Sequence, residues 1–459
     1  MPSRISRRQF LKFATTSAAG LALAACTGAQ TPQAATSTAQ TSNASQTPTS
    51  APAAPGAKTV RILLDSWAMG EMPFDQYARQ FNEAHPNVNI QLQSTFEGWD
   101  TKVMAQISAG NVEWNAGGIA SSASSSLPRW ILSGMIAPMD EYIQGSGEKG
   151  ASDVMKDMIP TLLSASQHDG KFWGFPYSFE NISFNWRTDH FAAVGAKAAP
   201  ATWDEWLTVA RELKKWGEKD SILPTSFIPD LDASVGALIY SALSNPFDDN
   251  MLLRWESDEG IAALKFYRTM VDEGLTPPHG FDGWLDLYYA GKLSSVMAQS
   301  SRGVWGQLAF GTDKVITSKI PTYKKGSGAG TAFWGNCIGL LTKAPNPQEA
   351  VDYLIYTMGP QNTDWQKLCM KTGKTPVFKS AYAFIDSDPQ FRNYAWMKDM
   401  LDQVQHSMSR PFNNYFSIQD TYYQKYIVSF VEPNSTMKPE EVAANIVKDA
   451  KAEIAKQKA

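Results

Sequence analysis

Hydrophobic and polar positions alternate with clear periods along much of the chain. Thr59-Val60-Arg61-Ile62-Leu63-Leu64-Asp65 reads as a buried strand. Phe74, Tyr77, Ala78 and Phe81 recur at i, i+3, i+4, i+7, the stripe of an amphipathic helix. Pro86 ends that helix. Val88, Ile90 and Leu92 alternate with Asn89, Gln91 and Gln93, which predicts a half-buried strand. Trp99, Val103 and Ile107 predict a further helix that runs to Gly110. Strand, helix, strand, helix with short links predicts a mainly parallel α/β sheet.

The pattern continues downstream. Thr202-Trp203-Asp204-Glu205 is a capping box, and Trp206, Leu207, Ala210 and Leu213 supply the buried stripe behind it. Trp203 and Trp206 therefore belong to a helix face and a core. Helices are predicted from Asp258 to about Gly274, from Asn346 to Met358 and from Pro439 to about Lys456. Leu293–Met297 and Cys337–Leu341 read as short strands.

Composition then bounds the class. The chain has 459 residues, and 43% are hydrophobic, so a core can form and disorder is excluded. A single core stops growing at roughly 250–300 residues, so two or more lobes are expected. Three Cys are too few for a disulfide scaffold. A formal charge of −4 argues against nucleic acid as a partner. No run approaches the roughly 18 apolar residues of a spanning helix.

The N-terminus reads as an address. Arg4, Arg7, Arg8 and Lys12 precede an apolar stretch from Phe13 to Ala25. Ser6-Arg7-Arg8-Gln9-Phe10-Leu11-Lys12 resembles the twin-arginine export motif, and Leu23-Ala24-Ala25-Cys26 resembles a bacterial lipobox. Residues 1–25 are then a lipoprotein signal peptide, and Cys26 is the lipidation site. Those residues hold four of the 41 basic side chains and none of the 45 acids, so the mature formal charge is −8. Residues 26–57 follow as lipidated Cys and linker. From 27 on they contain only Ala, Thr, Ser, Gln, Pro, Gly and Asn, which cannot repay ordering entropy.

Several chemistries lack their residues. The five His are widely spaced, with no HExxH. Gly326-Ser327-Gly328-Ala329-Gly330 lacks the Lys-Ser/Thr of a phosphate loop and reads as a flexible connection. No G-x-S-x-G elbow is present, and Ser121–Ser126 reads as a loop or helix start. Neither a cofactor nor a metal is expected. Spacing leaves open whether Cys337 and Cys369 pair.

Six short motifs, in order, carry a family resemblance. They are Phe81-Asn82-Glu83-Ala84-His85-Pro86-Asn87-Val88, Trp99 to Gly110, and Asp169-Gly170-Lys171-Phe172-Trp173-Gly174-Phe175-Pro176-Tyr177. The others are Ala199-Pro200-Ala201-Thr202-Trp203-Asp204-Glu205-Trp206, Gly291 to Met297, and Lys343 to Leu354. Together they resemble extracellular solute-binding proteins of family 1, the maltose-binding-protein-like components of ABC importers. The resemblance implies a periplasmic-binding-protein type II fold: two α/β lobes with a ligand cleft between them. Lobe one would be 58–178 plus 325–380, and lobe two 179–324 plus 381–459. Hinges would lie near Tyr177–Glu180, Tyr323–Gly330 and Lys379–Ala383.

The resemblance also implies a role: an extracytoplasmic sugar-binding component that delivers ligand to ABC permease subunits. It would act as a monomer anchored by Cys26 to the outer face of the cytoplasmic membrane, and it would do no chemistry. Flat aromatics suit the C–H faces of a sugar, and carboxylates, amides and Arg suit its hydroxyls. Trp67 follows the first strand, where open α/β sheets place ligands. Glu180 matches the family's acidic contact, with Tyr177 in the same segment. Trp305 falls near a family stacking position, with Arg302 beside it. Trp334 and Asn336 resemble a ligand-facing loop. Trp114 and Asn115 stand where the family has Pro-Asp, a departure that puts its acidic contact in question. Trp284 and Tyr415 complete the candidates. Another polar solute, such as a glycerol phosphodiester or a polyamine, is the alternative ligand. A carbohydrate-active enzyme using Glu180 and Glu113, or a structural surface protein, are the alternative classes.

Overall fold

The computed structural model describes residues 55–119, 127–279, 281, 283–328, 330–408, 413 and 415–458. Cys26, the signal peptide, nearly all of the linker and Ser121–Ser126 lie outside the described residues. No helix among the described residues is long and apolar enough to cross a membrane.

The first lobe opens with β1 (Lys58–Leu64), α1 (Ser66–Glu71), α2 (Phe74–Ala84), β2 (Val88–Ser94), α3 (Trp99–Ala109), β3 (Ala116–Ile119) and the two-residue β4 (Ile136–Ala137). The predicted stripe of α2 is buried in full: Phe74, Tyr77, Ala78 and Phe81. Side chains of β1 alternate between two cores, as a pleated strand requires. Val60, Ile62 and Leu64 face the main core of this lobe. Leu63 faces a smaller one with Val103, Trp114 and Trp130.

The chain then leaves the first lobe along β5 (Gly174–Arg187), a strand buried over its whole length. Phe175, Tyr177 and Phe179 belong to the first core. Ile182, Phe184 and Trp186 belong to the second. The period of two slips by one residue at Glu180-Asn181, and there the strand passes from one core to the other.

The second lobe contains α4 (Trp203–Gly217), α5 (Asp258–Asp272), α6 (Trp284–Tyr289), β6 (Ser295–Gln299), α7 (Ser301–Phe310) and β7 (Val315–Ser318). The capping box of α4 is reciprocal. Thr202 accepts from the Glu205 amide at 3.3 Å, and Glu205 accepts from the Ala201 amide at 2.7 Å. Trp203 and Trp206 are buried in this core, as their stripe predicts.

The chain returns along β8 (Phe333–Leu341) to α8 (Pro347–Met358), α9 (Thr363–Lys371) and α10 (Trp396–Gln405), then ends in α11 (Tyr415–Val431) and α12 (Pro439–Lys458). Among the described residues eight strands form one sheet, in the order β2-β1-β3-β8-β5-β6, with β4 on β8 and β7 on β5. Only β1 with β2 and β1 with β3 are parallel. The strands that join the lobes are antiparallel. The mainly parallel sheet expected from the opening units is thus realised in the first lobe, and the second lobe adds single parallel bridges, among them Leu223 with Leu293 and Phe227 with Met297.

Two further expectations need correction. Residues 381–405 pack into the first core rather than the second, through Ile385, Phe391, Met397, Met400 and Val404. The third passage between lobes therefore follows Gln405 instead of lying at Lys379–Ala383. Within the Gly-rich segment, Gly328 is closely packed rather than loose. A Cβ on Gly328 would meet the Leu243 backbone at 2.7 Å, and the Thr331 amide donates to Ser407 at 2.8 Å. Cys337 and Cys369 are free and buried, and burial pushes both thiols up to about 12, so they stay protonated.

Candidate functional site

The place where β5 and β8 carry the chain between lobes holds a dry cluster of charge. Glu180 sits at the slip in β5 and lies opposite Trp334 on β8. Residues opposite each other in a ladder share one face. Two positions along that face, Asn336 donates to Ser178 at 3.1 Å. Ser178 pairs with Asn336 and Pro176 with Cys337, which leaves Tyr177 as the extra residue of a bulge. Bulges re-aim side chains. The Tyr177 ring enters the first core, edge-on to Phe74 at 5.5 Å. Burial and the nearby Asp65 carboxylate raise its hydroxyl well above the usual tyrosine range, so it remains a donor.

A lysine organises the cluster. Lys374 follows α9 and is 2% exposed. Its ammonium lies 2.6 Å from Glu71, 3.5 Å from Glu180 and 4.9 Å from the centre of the Trp67 ring. Burial pulls the Lys374 pKa down, but the Glu180 and Glu71 carboxylates outweigh it and the pKa rises. The ammonium is charged. Glu180 is 8% exposed, and its Oε1 has no hydrogen-bond partner among the described residues. Asp65 follows β1 and accepts from Thr95 at 3.1 Å. Burial raises its pKa against the hydrogen bonds from Thr95 and Trp67.

The second lobe supplies the opposite wall. Arg302 begins α7 and stacks on Trp305 at 4.5 Å. Its Nε is buried without a partner among the described residues. Its charge is felt by Lys374 and by Tyr289, so these groups are neighbours. Trp305 belongs to the second lobe by sequence yet packs against the first core. Gly373 makes the contact possible. A Cβ there would stand 2.7 Å from the Ser301 Cα, and Gly373 has φ +79. Trp334 donates its indole N–H to Asp232 at 2.9 Å, tying β8 to the second lobe.

Seven of the sequence candidates thus gather at the crossing: Trp67, Tyr177, Glu180, Arg302, Trp305, Trp334 and Asn336. Trp114 and Asn115 do not. They precede β3, whereas the ligand side of a parallel strand is its carboxyl end. Trp114 is 1% exposed in the smaller core and donates to Gln93 at 3.1 Å. Asn115 is fully buried and bonds to the middle of the neighbouring strand, accepting from the Arg61 amide at 2.9 Å. Trp284 is buried in the second core, where the same helix offers Tyr289 to Arg302 instead. Tyr415 packs against the second core. Glu113, the acid considered with Glu180, pairs with Lys102 at 3.6 Å beside Trp114.

Sequence reasoning missed Lys374, Glu71, Asp65, Asp232 and Tyr289. One signal was available. The apolar period in Phe175–Trp186 slips at Glu180-Asn181, and an acid at a phase slip inside a buried strand marks a crossing.

The cluster can accept hydroxyl protons at Glu180, donate from Arg302 and Tyr177, and offer indole faces. Among the described residues no group of acids and His could hold a metal ion.

Comparisons with known proteins agree with this architecture. The sequence pattern of bacterial extracellular solute-binding proteins matches residues 76–397. A binding protein of Brucella abortus (strain 2308) is 23% identical over 346 residues, covering 70% of this chain and 76% of its own length. An ABC substrate-binding protein of Listeria monocytogenes, solved in complex with cycloalternan, matches with TM-score 0.70 at 17% identity. It covers 87% of this chain and 99% of its own. The sugar-binding protein MalE of Xanthomonas citri matches with TM-score 0.70 at 15% identity, over 87% of this chain and 98% of its own. At these identities the two structural likenesses are likenesses of fold.

Proposed function

The chain belongs to the bacterial extracellular solute-binding proteins, and from that premise we propose that it binds a sugar or oligosaccharide between its lobes. The observation that carries this reading is the crossing cluster. Indole rings of Trp67, Trp305 and Trp334 stand around Glu180, Lys374 and Arg302, of which Glu180 and Lys374 form an ion pair. Aromatic faces suit C–H surfaces, and fixed charged groups suit hydroxyls. Groups come from both lobes, so a bound ligand holds them together and closure follows as a hinge motion about β5 and β8. The closed form is what an ABC permease reads.

The solved relatives named above include a cycloalternan complex and a sugar-binding protein. The twin-arginine and lipobox motifs support export and anchoring at Cys26. Two features favour binding over hydrolysis. Glu113 pairs with Lys102 away from the crossing, and Glu71 and Glu180 share one ammonium.

The test is a thermal-shift screen of mono- and oligosaccharides, with intrinsic Trp fluorescence as a second readout. A ligand for the folded state raises the melting temperature by mass action. At least one sugar should do so and should perturb the fluorescence. A panel in which only phosphodiesters or polyamines respond overturns the ligand class. Oligosaccharide hydrolysis that disappears in Glu180→Gln overturns the binding role.

A further inference from the structure

Lys374 stands where an amine ligand would stand. An aromatic face with carboxylates around it is an arrangement that receives alkylammonium solutes. Here Trp67 supplies the face, at 4.9 Å, and Glu71 and Glu180 the acids, at 2.6 and 3.5 Å. The cage is filled from within, by a side chain only 3% exposed. Arg302 adds a second positive charge from the other lobe, close enough to oppose Lys374.

We propose that Lys374 is a specificity-determining residue, a built-in cation that occupies the cage of Trp67, Glu71 and Glu180 and so rejects amine-bearing solutes. The inference rests on the reading of the crossing as the ligand site. An incoming ammonium meets two like charges where solvent screening is weak, and finds the carboxylates engaged. A neutral polyhydroxy ligand meets no such barrier. Glu180 Oε1 has no hydrogen-bond partner among the described residues and is left to accept a hydroxyl. Removing the ammonium uncovers a site with two negative charges and an indole face.

The experiment titrates wild type and Lys374→Ala, both as the full mature chain, with putrescine and with glycine betaine. Calorimetry and Trp fluorescence are the readouts, and circular dichroism checks the fold. The wild type should bind neither amine. The variant should bind putrescine at least about tenfold more tightly than the wild type, a difference of about 1.4 kcal/mol. Adding Trp67→Leu should reverse much of that gain, because the face is then lost. A folded Lys374→Ala with no gained amine affinity overturns the proposal, as does tight putrescine binding by the wild type. Should Lys374→Ala fail to fold, Lys374→Met is titrated in its place, and ethylammonium is added to the Ala variant. Restored folding or gained amine binding supports the cage, and failure of both overturns it. Failure of every sugar against the wild type sinks the sugar reading alone, since the amine comparison is scored separately.

Discussion

Two tryptophans of the first lobe lie under lysines, and the two sites are otherwise opposites. Lys102 covers Trp114 at 4.6 Å, and Lys374 covers Trp67 at 4.9 Å. Trp114 is 1% exposed, whereas Trp67 is half-buried. The exposures of the lysines run the other way. The Lys102 side chain is 51% exposed and pairs loosely with Glu113, while that of Lys374 is 3% exposed and needs two carboxylates. Where the ring is dry and the charge is wet, the pair is packing with a solvated ammonium above it. Where the charge is dry and the ring is half open, the chain maintains a polar constellation that packing alone does not require. On the proposed reading, a Trp near a strand end marks a binding wall only when the charge beside it is buried.

Exchanging the two rings for alanine breaks the comparison most severely. Trp114→Ala removes a fully buried indole and should lose about 3–5 kcal/mol of stability in urea unfolding. Its folded fraction should bind ligand as the wild type does. Trp67→Ala should lose less stability but weaken sugar binding by at least about tenfold, or about 1.4 kcal/mol. Equal losses of affinity in the two variants would erase the distinction between packing and wall.

Local structure was readable because its causes are local. The strand at 58–64 and the helix at 74–84 follow from spacing alone, and so does the capping box at Thr202. Strand direction was not readable, because a short apolar run such as Cys337–Leu341 looks the same in either sense. Lys374 was not readable either. In Lys371-Thr372-Gly373-Lys374 it resembles any solvated lysine, and only Glu71 and Glu180, both distant in sequence, make it a buried one. Trp114 and Asn115 misled because a motif position was used without asking which end of the strand it occupied. The phase slip at Glu180-Asn181 was legible and pointed to the crossing more directly than the tryptophans did.

A pair of glycines sharpens the same contrast at a smaller scale. Gly373 and Gly98 adopt nearly equal left-handed conformations, φ +79 and +73, beside Lys374 and at the start of α3 respectively. Their surroundings differ. A Cβ on Gly98 meets nothing within 4 Å, while one on Gly373 meets the Ser301 backbone at 2.7 Å. Gly98→Ala should therefore show backbone strain alone, about 1 kcal/mol. Gly373→Ala should lose about 1–3 kcal/mol and also force the lobes apart. Small-angle scattering should report a larger radius of gyration for Gly373→Ala alone. An unchanged radius would mean that the contact between Gly373 and Ser301 does not set the spacing of the lobes.

The smallest effect is expected at Lys102. Its ammonium is half exposed, its pairing with Glu113 spans 3.6 Å, and its ring contact is at the surface. Lys102→Ala should lose less than about 1 kcal/mol, because exposed pairs and exposed cation–π contacts each contribute little. Salt should narrow even that difference, since Debye screening at 1 M acts within about 3 Å. Ligand affinity should not change. Urea unfolding of Lys102→Ala at low and high salt reads both quantities. A loss of several kcal/mol that persists at high salt would mean that the Lys102–Trp114 pair is held as firmly as the Lys374–Trp67 pair. Burial of the charge would then no longer separate a packed tryptophan from a binding one.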